Sequence, residues 1–181
     1  EALLQEVSCP VVLDADGLNL AAKLGVLERR TNDSCPLVIT PHPGEMARLL
    51  RCSIGEIQTD RVAAALTAAQ RFCCTAVLKG AGTVVAAPNG HFWVNATGNV
   101  GMATGGTGDV LSGILGALLA MGVPPIAAAG MAVYAHGLAG DLALKWRGEI
   151  SLVAGDLTES LSEVWQAIQQ EEVKEHWSYL V

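Results

Sequence analysis

The chain has 181 residues, 51% hydrophobic and 16% charged, a balance that indicates a folded globular protein rather than a disordered one. Its net charge of -7 and pI near 5.0 argue against nucleic acid or an anionic membrane as partner, although a local set of backbone amides can still hold a phosphate. Five cysteines without a CxxC pair, and four scattered histidines, predict free thiols in a reducing cytoplasm and no zinc site.

The opening residues, EALLQEVSCPVVLD, read as the tail of a helix entering a strand, so the chain is expected to start within a domain. No apolar run of bilayer length is free of Gly, Pro or charge, and nothing resembles a signal peptide. PVVLD (10–14) is a buried-strand candidate, followed by a helical stretch over 17–30. PLVIT (36–40) is a second strand and meets PHPGE before another helix. Ser53 and Glu56 form a capping-box pattern opening one long Ala-rich helix toward Cys73. TAVLKG (75–80) is a third strand, and TVVAAPNGHFWVN (83–95) alternates about Pro-Asn-Gly as an antiparallel hairpin. Helices are expected over 109–121 and, after Pro124 and Pro125, over 126–145. Asp156 with Glu159 predicts a cap for a last helix reaching the 170s. Strands alternating with helices, with no repeat and no linker, predict one α/β domain over 1–181: a layered sandwich with a mainly parallel sheet flanked by helices.

Ligands of such sheets sit beyond the carboxyl ends of the strands, where Asp14, Thr40 and Lys79 all fall. Within GNVGMATGGTGDVLSGILGALLAMG (98–122), GGTGD (105–109) is neither a P-loop, lacking GK[ST], nor a dinucleotide fingerprint, because Leu111 stands at the third glycine. Small residues entering a helix nevertheless expose amides at its positive end, which suits phosphate. Asp109 could serve there as a helix cap, but a cap does not require four small residues before it. LKGAGT (78–83) would by itself be a tight turn with a solvated lysine. TPHPGE (40–45) would be a helix start with Glu45 in its first turn, and Asp14 and Asp16 share a face if the strand extends that far. His136 and Asp141 receive no role. His91 and His176 read as solvated, and Trp93, Trp146, Trp165 and Trp177 are too scattered for a stacking platform.

Taken together, LDADGLN, TPHPGE, LKGAGT and NVGMATGGTGDVLSG resemble, in order and spacing over roughly residues 7–145, the carbohydrate-kinase-like NAD(P)H-hydrate dehydratases of the ribokinase-like superfamily. The resemblance implies a lyase of metabolite repair that removes water from (6S)-NAD(P)H hydrate, driven by cleavage of ADP (or ATP in eukaryotic relatives) to AMP and phosphate, with Mg²⁺ accompanying the nucleotide. It assigns Gly105, Gly106, Thr107 and Gly108 to the phosphate anion hole and Asp109 to proton abstraction from the substrate hydroxyl. It further assigns Lys79, Gly80, Ala81, Gly82 and Thr83 to nucleotide binding and His42 to the hydrated dinucleotide; beside these, Asn19 is a candidate for the dinucleotide and Glu45 a candidate for the metal, through water. Hydroxide is a poor leaving group, so phosphorylating it before elimination is the physical logic of the reaction. The glycine-rich strand end and GPGLG-type loop that begin the family domain have no counterpart here, so the chain is expected to match its C-terminal two-thirds. A cytoplasmic homo-oligomer is expected. The alternatives are a vitamin-precursor kinase of the same fold and a non-catalytic nucleotide-binding subunit.

Overall fold

Residues along three of the strands alternate between the two faces of one sheet, and that alternation sets the layers of the molecule. The computed structural model describes residues 2–30 and 35–170; the expectations for His176 and Trp177, and for helix beyond 170, lie outside the described residues. Strands β1 (Val11–Leu13), β2 (Leu37–Ile39), β3 (Thr75–Leu78), β4 (Val84–Ala86) and β5 (Phe92–Val94) lie in the order β1-β2-β3-β4-β5. The first three run parallel, with Leu13 opposite Ile39 and Val38 opposite Thr75, and the β4–β5 hairpin adds antiparallel to β3.

Leu37, Ile39, Ala76, Leu78, Val84 and Ala86 pack into one core with helices α2 (Ala15–Leu24), α3 (Pro43–Leu50), α4 (Ile54–Thr59) and α5 (Arg61–Arg71). The residues between them, Val38, Val77 and Val85, face the other way onto α6 (Thr107–Ala120) and α7 (Pro125–Arg147). Period-two side-chain direction thus yields three layers, helix on sheet on helix. Helix α8 (Ala154–Gln169) joins the second layer through a core with α7, and a short α1 (Ala2–Glu6) leads into β1. This is the expected α/β sandwich.

The hairpin turns at the expected place: Gly90 sits at φ +91 and donates its N–H to Ala87 O at 3.1 Å. Ser53 and Glu56 form their capping box, but the helix they open stops at Thr59. Asp60 breaks it with an extended φ of -145 and accepts from Ala63 N at 2.8 Å, so the Ala-rich stretch becomes two helices. A carboxylate that can cap favours starting a new helix over continuing the old one. Asp156 likewise lies inside α8 instead of capping it; its Oδ2 accepts from Val153 N at 2.9 Å and its Oδ1 from Arg147 Nε at 2.9 Å. The five cysteines carry free thiols in this structure.

Helix α7 is the one described helix long and apolar enough to cross a membrane, yet 61% of that window is buried, which marks it as a core helix. Its glycines bring it unusually near the chain that follows β5. A Cβ on Gly130 would lie 2.5 Å from the Trp93 ring; on Gly137 it would overlap Thr97 Oγ1, and on Gly140 Met102 Sδ. In that space Asn95 Nδ2 donates to Val133 O (3.4 Å) and Thr97 Oγ1 to Tyr134 O (3.1 Å). The segment running into the glycine-rich loop is therefore laid along α7.

Candidate functional site

The carboxyl ends of β1, β2 and β3 finish side by side, joined by Thr40 N donating to Leu13 O (3.1 Å) and Lys79 N donating to Pro41 O (2.9 Å). Asp14 follows β1 directly. Its Oδ1 accepts from Lys79 Nζ at 2.6 Å and from Ala15 N at 2.8 Å, and its Oδ2 accepts from Ser112 Oγ of α6 at 3.0 Å. Burial by itself would raise the Asp14 carboxyl, but the Lys79 ammonium and the Ala15 and Ser112 donors outweigh it and hold it below the ordinary carboxylate value. Because β1 stops at Leu13, strand alternation never reaches Asp16, which lies in the first turn of α2 while Asp14 caps that helix. The condition for a face shared by Asp14 and Asp16, a strand that extends past Asp14, is not met.

Above this pair sits the glycine-rich loop. Helix α6 begins at Thr107, two residues earlier than expected, with Gly106 as its N-cap at φ +90, a left-handed value that favours glycine. Asp109 is the third helical residue, exposed and with no hydrogen bond to its carboxylate among the described residues, so it does not cap the helix. Gly108 needs no left-handed backbone. A Cβ there would lie 3.5 Å from Lys79 Nζ and 3.6 Å from Asp14 Oδ2, ordinary contact distances that place the start of α6 directly beside the ion pair. Among the described residues, the amides of Gly105, Gly106, Thr107 and Gly108 make no backbone hydrogen bond, whereas those of Asp109 and Val110 turn back to Gly106 O. Open N–H groups at a helix start, over a lysine, are a favourable setting for an anion.

Helix α7 holds this loop from behind. The buried Thr107 hydroxyl shares its hydrogen bond between Met102 O and Thr104 O, each at 3.0 Å, and its carbonyl accepts from His136 Nε2 at 2.8 Å. Burial pushes the His136 imidazole below its usual value and the nearby Lys79 charge adds to this, against the opposing pull of the Thr107 carbonyl, so the ring favours its neutral form. One turn on, Asp141 accepts from Gly98 N (2.8 Å) and Asn99 Nδ2 (2.9 Å). Neither residue is assigned from the sequence. The available signal is two polar side chains beside Gly137 and Gly140 in a helix that is mostly small and apolar before its basic last turn.

The LKGAGT turn has its own support. Thr83 Oγ1 donates to Gly80 O (2.9 Å) and accepts from Gly80 N (3.3 Å), with Gly80 at φ +141, Gly82 at φ +64 and Ala81 exposed at the tip. Arg61, first residue of α5, reaches in so that Nη2 donates to Leu78 O (3.0 Å), Lys79 O (3.3 Å) and Gly82 O (3.4 Å). Nothing local in the sequence marks Arg61 for this task.

His42 serves as the N-cap of α3: its Nδ1 accepts from Gly44 N (2.9 Å) and Glu45 N (3.4 Å), which leaves Nε2 to carry the ring proton. Glu45 Oε2 accepts from His42 N at 2.7 Å, completing a capping box in which imidazole stands in for a hydroxyl. The Glu45 carboxylate is buried in that box, and no group of three His, Cys, Asp or Glu able to hold a metal exists among the described residues. Asn19 lies about 7 Å along α2 from Asp14 and its Oδ1 accepts from Arg48 Nη1 of α3 at 2.9 Å, a helix–helix contact. At the opposite end of α2, a cavity of about 360 Å³ lined by Lys23, Arg29, Arg51, Arg71 and Glu28 gathers cations around three helix C-termini, where they complement the helix dipoles.

A family model described as NAD(P)H-hydrate dehydratase matches residues 2–163. The bifunctional NAD(P)H-hydrate repair enzyme of Moorella thermoacetica is 48% identical over 93% of this chain and 32% of its own length. The ADP-dependent (S)-NAD(P)H-hydrate dehydratase of Neisseria meningitidis is 42% identical over 86% of this chain and 53% of its own length. The crystal structure of the ADP/ATP-dependent NAD(P)H-hydrate dehydratase from Bacillus subtilis, co-crystallised with ATP and Mg²⁺, superposes with a TM-score of 0.76 at 37% identity, over 88% of this chain and 55% of that one. The chain thus spans about half the length of its single-activity relatives and about a third of the bifunctional one. With a family match over most of its residues and the strand-end site in place, the chain belongs to the NAD(P)H-hydrate dehydratase family.

Proposed function

We propose that this chain carries the nucleotide-binding and proton-abstracting part of an ADP-dependent dehydratase that restores NAD(P)H from its (6S)-hydrate, with release of AMP and phosphate. The observation that carries the proposal is the run Gly105 to Gly108, whose amides make no backbone hydrogen bond among the described residues, with Gly108 beside the Asp14-held ammonium of Lys79 at the strand ends. Such a cradle offsets the charge of a phosphoryl group in transfer. Asp109, exposed beside it, is assigned to take the proton of the C6 hydroxyl as that oxygen attacks the terminal phosphorus of ADP and AMP departs. The ring nitrogen's lone pair then expels phosphate from C6, and loss of a proton from C5 restores the double bond.

The His42 ring is half exposed beside the strand ends, with its Nε2 3.5 Å from Glu45 Oε1, and is assigned to the hydrated dinucleotide, with Asn19 as a more peripheral member. Lys79 to Thr83 are assigned to the nucleotide. Mg²⁺ fits a site of this kind as a companion of the nucleotide, because it is commonly held by phosphates, waters and one or two carboxylates. The phosphates would hold it here, with Glu45 reaching it only through water, and its chemistry would be to neutralise phosphoryl charge. A cytoplasmic homo-oligomer belongs to the same proposal, supported by the free cysteines and by exposed Val100, Trp146, Ile150 and Val153.

The test incubates the protein with ADP, Mg²⁺ and hydrated NADH and follows reduced-nicotinamide absorbance together with AMP and phosphate. The proposal expects one AMP and one phosphate per NADH restored. ADP consumption with a stable phosphorylated hydrate would instead identify a kinase.

A further inference from the structure

Resting on that functional reading, we propose that His136 is a positioning residue: by holding the Thr107 carbonyl it aims the Gly108 amide at the nucleotide phosphates. The contact spans 29 positions and joins two neighbouring helices of one layer, with His136 Nε2 on α7 lying 2.8 Å from Thr107 O at the first residue of α6. In a trans peptide the carbonyl and the following N–H point in opposite directions. Fixing Thr107 O toward α7 therefore fixes the Gly108 N–H away from α7. Gly108 is the residue whose Cβ position lies 3.5 Å from Lys79 Nζ and 3.6 Å from Asp14 Oδ2, and its amide makes no backbone hydrogen bond among the described residues.

The first turn of a helix is where peptide planes are least constrained, because its amides have no intrahelical partner. Thr107 is held through its hydroxyl as well, by Met102 O and Thr104 O, but those bonds anchor the side chain, while its carbonyl belongs to the first turn of the α6 ladder, where the following amides have no partner within the helix. His136 supplies a bond to that carbonyl from outside α6. Burial keeps the ring in its neutral form, so it donates without adding a second cation beside Lys79. Gly137, next on α7, permits the close approach of Thr97 to this helix.

The test compares wild type with His136→Phe, which keeps an aromatic ring but has no donor, and His136→Gln, whose amide N–H can reach the same carbonyl. Calorimetric titration with ADP and the unliganded melting temperature are measured for each. The inference expects His136→Phe to bind ADP about tenfold more weakly, as removal of one polar contact to a buried carbonyl would, and His136→Gln to recover to within about threefold. His136→Phe binding ADP like wild type would overturn it, and so would equal losses in both variants, which would mark a packing role. If His136→Phe does not fold, His136→Gln decides, because near-wild-type affinity is required of it. A wild-type protein that ignores ADP would overturn the functional reading itself, a result distinct from wild-type binding that is indifferent to His136.

Discussion

Lys79 Nζ and Asp14 Oδ1 lie 2.6 Å apart, although 65 positions separate the residues, and the pair forms the floor beneath the glycine-rich loop. Both side chains are mostly withdrawn from solvent, at 21% and 15% exposed. Asp14→Asn is expected to destabilise the protein at neutral pH by about 1–2 kcal/mol, a modest figure because the pair keeps some contact with water. The Asp14 carboxyl is lowered in the folded state, so its contribution is complete above the unfolded value of about 4 and fades as pH falls through the folded one. Thermal melts of both proteins across pH should show the gap at pH 7 closing below about pH 4. A gap that persists unchanged in acid would mean the carboxylate charge is not what stabilises the fold.

Asp109 occupies the third position of α6 and does not cap it, so its removal leaves the helix start intact. Asp109→Asn should cost a few tenths of a kcal/mol from the lost helix-dipole interaction, on the order of the 0.3–1 kcal/mol typical of such sites. Turnover should fall about 10²–10⁴-fold, with ADP affinity nearly unchanged. Steady-state rates alongside calorimetry on the same preparation check this, and a variant that retained most of its rate would remove Asp109 from the chemistry.

His42 has two tasks to separate, since its ring also caps α3. His42→Ala should lose about 1 kcal/mol of stability from the missing cap. His42→Asn restores a capping side chain but withdraws the Nε2–H, so it should melt near wild type while binding hydrated NADH more weakly and ADP normally. Equal weakening for both ligands in His42→Asn would show that the residue shapes the loop instead of contacting substrate.

At Gly137 an added methyl would meet the Thr97 backbone, with C at 2.7 Å and O at 2.8 Å, atoms that cannot turn aside like a flexible side chain. Gly137→Ala should therefore destabilise by about 1–3 kcal/mol despite alanine's better helix propensity. A chemical melt decides this; a neutral or stabilising result would mean α7 does not need that approach.

The layers were legible because β2, β3 and β4 switch faces residue by residue, and because Pro-Asn-Gly and Ser53–Glu56 are local signals with local causes. The strand-end placement of Asp14, Thr40 and Lys79 was legible for the same reason. What escaped depends on contacts across the chain. Arg61 meets Gly82 O over 21 positions, His136 meets Thr107 over 29 and Asp141 meets Gly98 over 43, with no pattern in the intervening residues. The break at Asp60 was hidden by a run of good helix formers on both sides, and the role of His42 as a cap by the rarity of imidazole in that position.

The most direct measurement is the ADP-induced shift in melting temperature of Gly108→Val against wild type. The left-handed backbone is at Gly106, not Gly108, so valine at 108 is not strained by φ, and its methyls extend toward Lys79 and Asp14, where phosphate is assigned. Wild type should gain stability with ADP according to RT ln(1 + [L]/Kd), about 2.7 kcal/mol at a hundredfold excess over Kd. Gly108→Val should melt close to wild type without ligand and gain nothing from ADP. A Gly108→Val protein that melts normally and is still stabilised by ADP would contradict the assignment of the phosphates to this loop.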